Sequence, residues 1–249
     1  MTEQTSETET NMIWTIHGII RRETLPPSAS PPHRTIDVGA LTALVSARPA
    51  PPMPDQPDLE AEAEFVLFHN KLLVSYAATS DVVPVRYGAY LMSKADVKIR
   101  VAEQAHVHQK ILARIAGAQE YAVRIERSEV RTSEPAERAP APEPASGRSY
   151  LAARRTARDA RETQVARSRL FLADTATALA NCARETAIGS PGQDRLLDLN
   201  LLIDRDRIRP FLECAEAVHA EAARQGMTLT VTGPWPAYAF STPPSEDTA

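Results

Sequence analysis

Glycine is scarce in this chain, with nine in 249 residues. None falls in a GxGxxG or GxxxxGK[ST] pattern, so the backbone cradle that nucleotide-binding proteins build around phosphate is missing. Cysteine is scarcer still. Cys182 and Cys214 are the only two, both fall in segments that read as helix, and neither has zinc spacing or the histidine context of a catalytic thiol. So few cysteines fit a reducing, cytoplasmic compartment. No apolar run approaches the ~18 residues that a membrane-spanning helix needs. The polar, Thr/Glu-rich residues 1–11 have neither the basic nor the apolar region of a signal peptide and read as disordered. Charge is nearly balanced, 28 basic against 32 acidic residues for a net charge of −4, which gives no global attraction to nucleic acid or to a membrane.

Chemistry-bearing constellations are missing too. His106 and His108 stand two apart in a helical segment, about 200° apart around the axis, and cannot share one ion. Asp204 and Asp206 flank a strand-to-helix turn, where they either bind a cation or, in the case of Asp206, cap the helix. There is no GxSxG elbow. The residues themselves therefore yield no catalytic group, no metal site and no cofactor. The alternative of a small ligand-binding or enzymatic α/β protein stays open, since active sites assemble from distant parts of a chain.

Proline, by contrast, is plentiful, with twenty residues bunched at 26–32, 49–57, 135–144 and near the end. Helices and central strands do not run through such bunches. Between them the sequence reads as a mixed α/β (α+β) protein of two domains, residues 12–118 and 119–241, with a flexible loop over 128–146 and a tail from 242 to 249. Strands are expected at 12–20, 35–38, 41–46 and 81–86. Helices are expected at 58–78, with a stripe of Leu59, Ala63, Val66, Leu73 and Ala77 and with Phe65, Phe68 and Leu72 beside it, and at 95–116, with Val97, Val101, Ala105, His108, Leu112 and Ile115 inward. The second half reads β-α-β-α-β. Its first strand, 120–126, turns Tyr121, Val123 and Ile125 inward and Glu120, Arg124 and Glu126 outward. A helix of about forty residues, 147–187, would be roughly 60 Å long. The last strand spans 227–232.

Two surface features invite a functional reading. Seven arginines lie between Arg148 and Arg169, including Arg154, Arg155 and Arg158, opposed by only Asp159 and Glu162. They form either the solvated face of a long helix or a cationic arm for an acidic partner. The segment Gly233-Pro234-Trp235-Pro236 then leads into Tyr238 and Phe240, three large aromatics within six residues of a chain that is 5% aromatic. These rings either close their own core or anchor a partner. Pro84, Arg86 and Tyr87 at a strand end pose the same choice.

This ending, LTVTGPWPAYAF at 229–240, resembles the signature ending of the gas vesicle GvpL/GvpF family. Other pieces follow in order: VVPVRYG at 82–88 is similar to that family's VLPxRFG segment, with His69 in the helix before it. EYAVRI at 120–125, GRSYL at 147–151 and LNLLID at 199–204 match further family strands and a helix start. The likeness covers roughly residues 13–240. Departures are Trp14 and His17 where the family tends to tyrosine, and Ala-Tyr-Leu after Gly88. The resemblance implies two α/β domains, the second ferredoxin-like. It implies no catalytic activity and an accessory or minor structural role in gas vesicles. The implied partners are the small GvpA-like shell protein and other gas vesicle accessory proteins, with no nucleic acid and no membrane. On that reading Pro84, Arg86, Tyr87, Arg154, Arg155, Arg158, Trp235, Tyr238 and Phe240 are the candidate partner-binding residues.

Overall fold

A computed structural model describes residues 12–49, 59–88, 90–128, 147–189, 192 and 195–242. The expected disordered 1–11, nearly all of the loop expected at 128–146, and the tail after Thr242 lie outside the described residues. Contacts divide the chain into two compact units. The first is Met1–Tyr121 with Leu202–Asp206 and Thr232–Ala249; the second is Ala122–Leu201 with Arg207–Val231. These units are discontinuous, whereas the domains expected from sequence, 12–118 and 119–241, are sequential.

The first unit is built on an antiparallel sheet of β1 (Met12–Arg21), β2 (Arg34–Val38), β3 (Leu41–Pro49) and β4 (Val83–Pro84), in the order β2-β3-β1-β4, with β5 (Tyr90–Leu91) also paired to β1. β1 is rich in isoleucine and is buried at every position from Ile13 to Ile20, as befits a central strand covered on both faces. α1 (Leu59–Ala77) buries Leu72, Leu73, Tyr76 and Ala77 in a cluster with Ile20, Leu44 and Val82. Its core face is therefore set by residues 69, 72, 73 and 76, and the expected stripe fails at its N-terminal end, where Leu59, Ala63 and Val66 are exposed. Counting only apolar residues hid the fact that His69 and Tyr76 carry that face.

The expected 95–116 helix is two helices, α2 (Lys94–Glu103) and α3 (Ala105–Arg114), broken at Gln104 with φ −102° and ψ 10°. Neither proline nor glycine marks that break. Ser93 caps α2: its Oγ accepts from the Asp96 amide at 3.1 Å, as an N-cap side chain does, and donates to the Asp96 carboxylate at 2.9 Å. The expected 81–86 strand shrinks to Val83–Pro84, because proline has no amide for a longer ladder. Gly18 is required by space, since a Cβ there would stand 2.6 Å from Leu73 Cδ2 and 2.9 Å from Val82 Cγ2.

The second sheet has the order β7-β8-β6-β9, from β6 (Ala118–Arg127), β7 (Glu185–Ile188), β8 (Arg195–Asp204) and β9 (Met227–Trp235). With α4 (Gly147–Ala180) and α5 (Ile208–Arg224) between them, the chain order is β-α-β-β-α-β, the ferredoxin-like plan. The division between units runs through this sheet. The extra strand β7 corrects the forty-residue helix: α4 stops at Ala180 and the chain turns at Asn181 and Cys182 before entering an edge strand. No glycine or proline signals the stop, and the half-exposed Glu-Thr-Ala-Ile of β7 shows no buried alternation to betray a strand. Asp206 does not cap α5. It lies in a single 3-10 turn, and the capping position falls to Arg207, without a side-chain cap bond. Within the second unit, Val123, Ile125, Leu199, Leu201, Phe211 and Leu229 are buried. Asp198 is buried there as well, held by Arg195 at 2.6 Å and near Arg124 at 3.5 Å. The two cysteines, which no spacing marks as a pair, interact as free thiols: burial and the neighbouring Cys182 raise the pKa of Cys214.

Candidate functional site

Two surfaces of the first unit gather the residues singled out by sequence. The first grows from a bulge. In the β1–β3 ladder Ile16 pairs with Val45 and Gly18 with Leu44, leaving His17 as the extra residue. A bulge of this kind redirects a side chain. Here the His17 carbonyl accepts from the Val85 amide at 2.9 Å. Its ring lies 2.9 Å from His69 Nδ1 on α1 through Nδ1, and 2.8 Å from Ser46 Oγ through Nε2. His17 is fully buried. Burial first, then the neighbouring His69 and His33, take its pKa from 6.5 down to about 3, and burial also lowers that of His69. Both rings are therefore neutral near pH 7, one nitrogen of each pair donating and the other accepting.

Above this pair lies a shell of aromatic and charged groups. Phe65 and Phe68 of α1 contact the His17 ring at 5.5 and 5.3 Å between centroids, and Tyr87 meets both Phe65 and His69 at 5.8 Å. The Tyr87 hydroxyl donates to Glu62 of α1, and Arg48 of β3 donates to the other Glu62 oxygen at 2.5 Å. The Arg48 guanidinium lies 4.6 Å from the Phe65 centroid, a cation–π arrangement. The Tyr87 hydrogen bond, followed by that of Arg48, holds the Glu62 pKa below the usual carboxylate range, while burial and Glu62 raise that of Tyr87. Tyr90, exposed, closes the cluster with 3.3 Å contacts to Glu62, Tyr87 and Arg48. Tyr87 is thus a lynchpin inside the cluster, Pro84 is buried, and Arg86 is exposed beside them. Of the cluster, the sequence alone singles out Tyr87, His17 and His69, with Phe65 and Phe68 beside the stripe expected on the helix. Glu62 and Arg48 carried no signal, since they lie 25 and 39 positions from Tyr87 and are joined only by the fold.

The second surface is the C-terminal segment. Phe240 is buried, 1% exposed, beneath the Arg114 guanidinium at 5.7 Å. The same arginine donates to the carbonyls of Phe240 at 3.3 Å and Thr242 at 3.0 Å. Glu120 is buried, contrary to the outward position expected from alternation, because its carboxylate accepts from the Ala239 amide at 2.9 Å. Burial raises its pKa from 4.5 to about 7, and the Ala239 bond opposes the rise. Gly233, at φ +144°, lets the strand pass: a Cβ would stand 2.8 Å from Tyr121 Cδ1 and 2.9 Å from the Glu120 carbonyl. Trp235 is half-buried and donates to Thr232 Oγ1 at 3.0 Å. Tyr238 is left 43% exposed. The three aromatics therefore divide, with Phe240 serving the core and Tyr238 offering a ring to solvent.

Arg154, Arg155 and Arg158 belong to the second unit, on a part of α4 where every described side chain from 150 to 167 is exposed. Among the described residues no cluster of His, Cys, Asp or Glu could hold a metal ion, and no helix is long and apolar enough to cross a membrane.

Comparison with known proteins agrees with this fold. The family profile described as "Gas vesicle synthesis protein GvpL/GvpF" matches residues 16–242. A similar protein is "Gas vesicle protein L" of Streptomyces sp. (strain CB03234), 27% identical over 233 residues, covering 87% of this chain and 85% of that one. Among solved structures, gas vesicle protein GvpF from Anabaena sp. PCC7120 superposes with a TM-score of 0.66 at 13% identity, covering 96% of this chain and 99% of the other. GvpF from Microcystis aeruginosa gives 0.63 at 14% identity, covering 92% and 99%.

Proposed function

Because the chain belongs to the gas vesicle synthesis protein GvpL/GvpF family, we propose that it is a non-enzymatic accessory or minor structural protein that holds gas vesicle shell subunits during assembly, in the cytoplasm and at the vesicle. The family match over residues 16–242 carries this reading. The C-terminal segment supports it further. Phe240, Arg114, Glu120 and Gly233 fix the backbone on both sides of Tyr238, so the exposed ring is presented on a rigid base. Preorganised aromatic rings lose little entropy on docking and are favoured interface anchors. The Tyr87–Glu62–Arg48 cluster similarly stiffens the stretch that presents Arg86 and Tyr90.

The buried His17–His69–Ser46 array does not favour an enzymatic reading. His17 is wholly enclosed by Phe65, Phe68 and the sheet, out of reach of a substrate, and a neutral histidine pair there satisfies its own polar atoms. The test is deletion of the gene in a vesicle-forming cell that has no redundant copy. Loss or malformation of vesicles, restored by the wild-type gene, is the expected result. Normal vesicles in the deletion strain would end the proposal.

A further inference from the structure

The exposed part of α4 continues the register of the buried positions at its own C-terminal end. At the C-terminal end Ser168, Leu172, Thr175 and Leu179 recur at alternating steps of four and three, and Thr175 and Leu179 are buried. That is the a/d spacing by which one helix accepts another. Carried toward the N-terminus in the same register, the seam reads Val165, Arg161, Arg158, Arg154 and Leu151. The neighbouring helix α5 ends at Arg224. Arg224 lines a groove of about 560 Å³ together with Glu221, Gln164, Leu170 and Phe171. Among the described residues nothing buries the N-terminal part of the seam: Leu151 is 67% and Val165 43% exposed.

We propose that this half of α4 is a docking seam for an amphipathic helix of another protein, one that sets acidic side chains against Arg154, Arg158 and Arg161 and apolar ones against Leu151 and Val165. The charge decides the partner. Residues 148–169 carry seven arginines against two acids in a chain whose net charge is −4. A second copy would place arginine on arginine along the seam, which like-charge repulsion disfavours. The ion pair of Arg158 with Glu162, at 2.8 Å, is exposed on both sides, so it is weak and readily exchanged. Single-stranded nucleic acid is disfavoured because base stacking needs aromatics along the track, and the net charge of −4 gives the whole chain no attraction to a duplex. The one tyrosine present, Tyr150, already lies 5.8 Å from the Arg154 guanidinium. The inference does not rest on a role in gas vesicles.

The experiment titrates the full-length chain with a labelled three-heptad helical peptide designed to set glutamate against Arg154, Arg158 and Arg161 and leucine against Leu151 and Val165. A scrambled peptide of the same composition and a duplex DNA serve as competing probes. The designed peptide should bind. The triple change Arg154→Glu, Arg158→Glu, Arg161→Glu should weaken it at least about tenfold, since opposed charges become like charges. Reversing the off-seam Arg148, Arg155 and Arg169 should weaken it no more than about threefold through screened long-range effects. All six positions are exposed, and unchanged circular dichroism would verify that both variants fold. The proposal is overturned if the designed peptide does not bind, if both triples act alike, or if the scrambled peptide or DNA binds equally well. It is also overturned if sedimentation shows the chain self-associating through the seam.

Discussion

Glu120 shows how a single side chain ties local pattern to tertiary demand. Strand alternation places it on the solvent face, yet the returning C-terminal segment covers it and supplies an amide donor. Its pKa, raised to about 7 in the folded chain against 4.5 ordinarily, means that the folded state keeps a proton the unfolded chain releases. Its contribution to stability is therefore complete below about pH 4.5 and is lost as pH rises through 7. Glu120→Gln, which keeps an acceptor for Ala239 without a charge, should remove that loss. Above pH 8 the variant should be the more stable by on the order of 2 kcal/mol, read from urea midpoints across pH. A wild-type midpoint that holds steady from pH 5 to 8 would contradict this. Phe240 and Tyr238 make a sharper pair. Phe240→Ala empties a buried site and should cost about 3–5 kcal/mol, whereas Tyr238→Ala should change thermal stability by less than about 1 kcal/mol. Equal melting shifts for the two would refute the division of labour between them.

At the scale of elements, the bulge in β1 and the helix α1 depend on each other. Gly18 lets Leu73 approach the strand, and His17 turns toward His69. Gly18→Ala should cost roughly 1–3 kcal/mol by overpacking against Leu73 and Val82, visible as a lowered melting temperature. The histidine pair gives the opposite pH sign to Glu120. With the His17 pKa down to about 3 against 6.5 unfolded, the unfolded chain binds the proton first. The pair's contribution is complete above about pH 6.5 and is lost as pH falls toward 3. His17→Gln should flatten this acid limb in a pH series of melting curves; an unaltered limb would argue against the pair. Much at this scale was legible in sequence. β9 and the inward face of α3 follow from periodicity alone, because each is amphipathic and half-covered. The misses share one cause: the signal lay outside the element. β7 is an edge strand with no buried alternation, α4 ends at Ala180 without glycine or proline, α2 and α3 part at an ordinary glutamine, and Glu120 is covered by residues more than a hundred positions away. The Arg48–Glu62–Tyr87 cluster escaped for the same reason, while Tyr238 and the arginine run stood out by local composition and Tyr87 by its place after Pro84 at a strand end.

For the molecule as a whole, what matters is which surfaces the fold stiffens and leaves uncovered. Charged and aromatic side chains that could have formed a cleft are spent on one another: Glu62 on Tyr87 and Arg48, His17 on His69 and Ser46, Arg114 on the carbonyls of the closing segment. What remains for others is Tyr238 on its fixed base, Arg86 and Tyr90 beside the cluster, and the arginine seam of α4. A protein arranged this way is suited to adhesion between subunits. The most direct test is equilibrium binding of the purified full-length chain to the gas vesicle shell subunit, measured for wild type and for Tyr238→Ala. The account predicts saturable binding by wild type and a loss of at least about tenfold in the folded variant, the size expected of one interface anchor. No binding by wild type, or identical binding by the two, would contradict it.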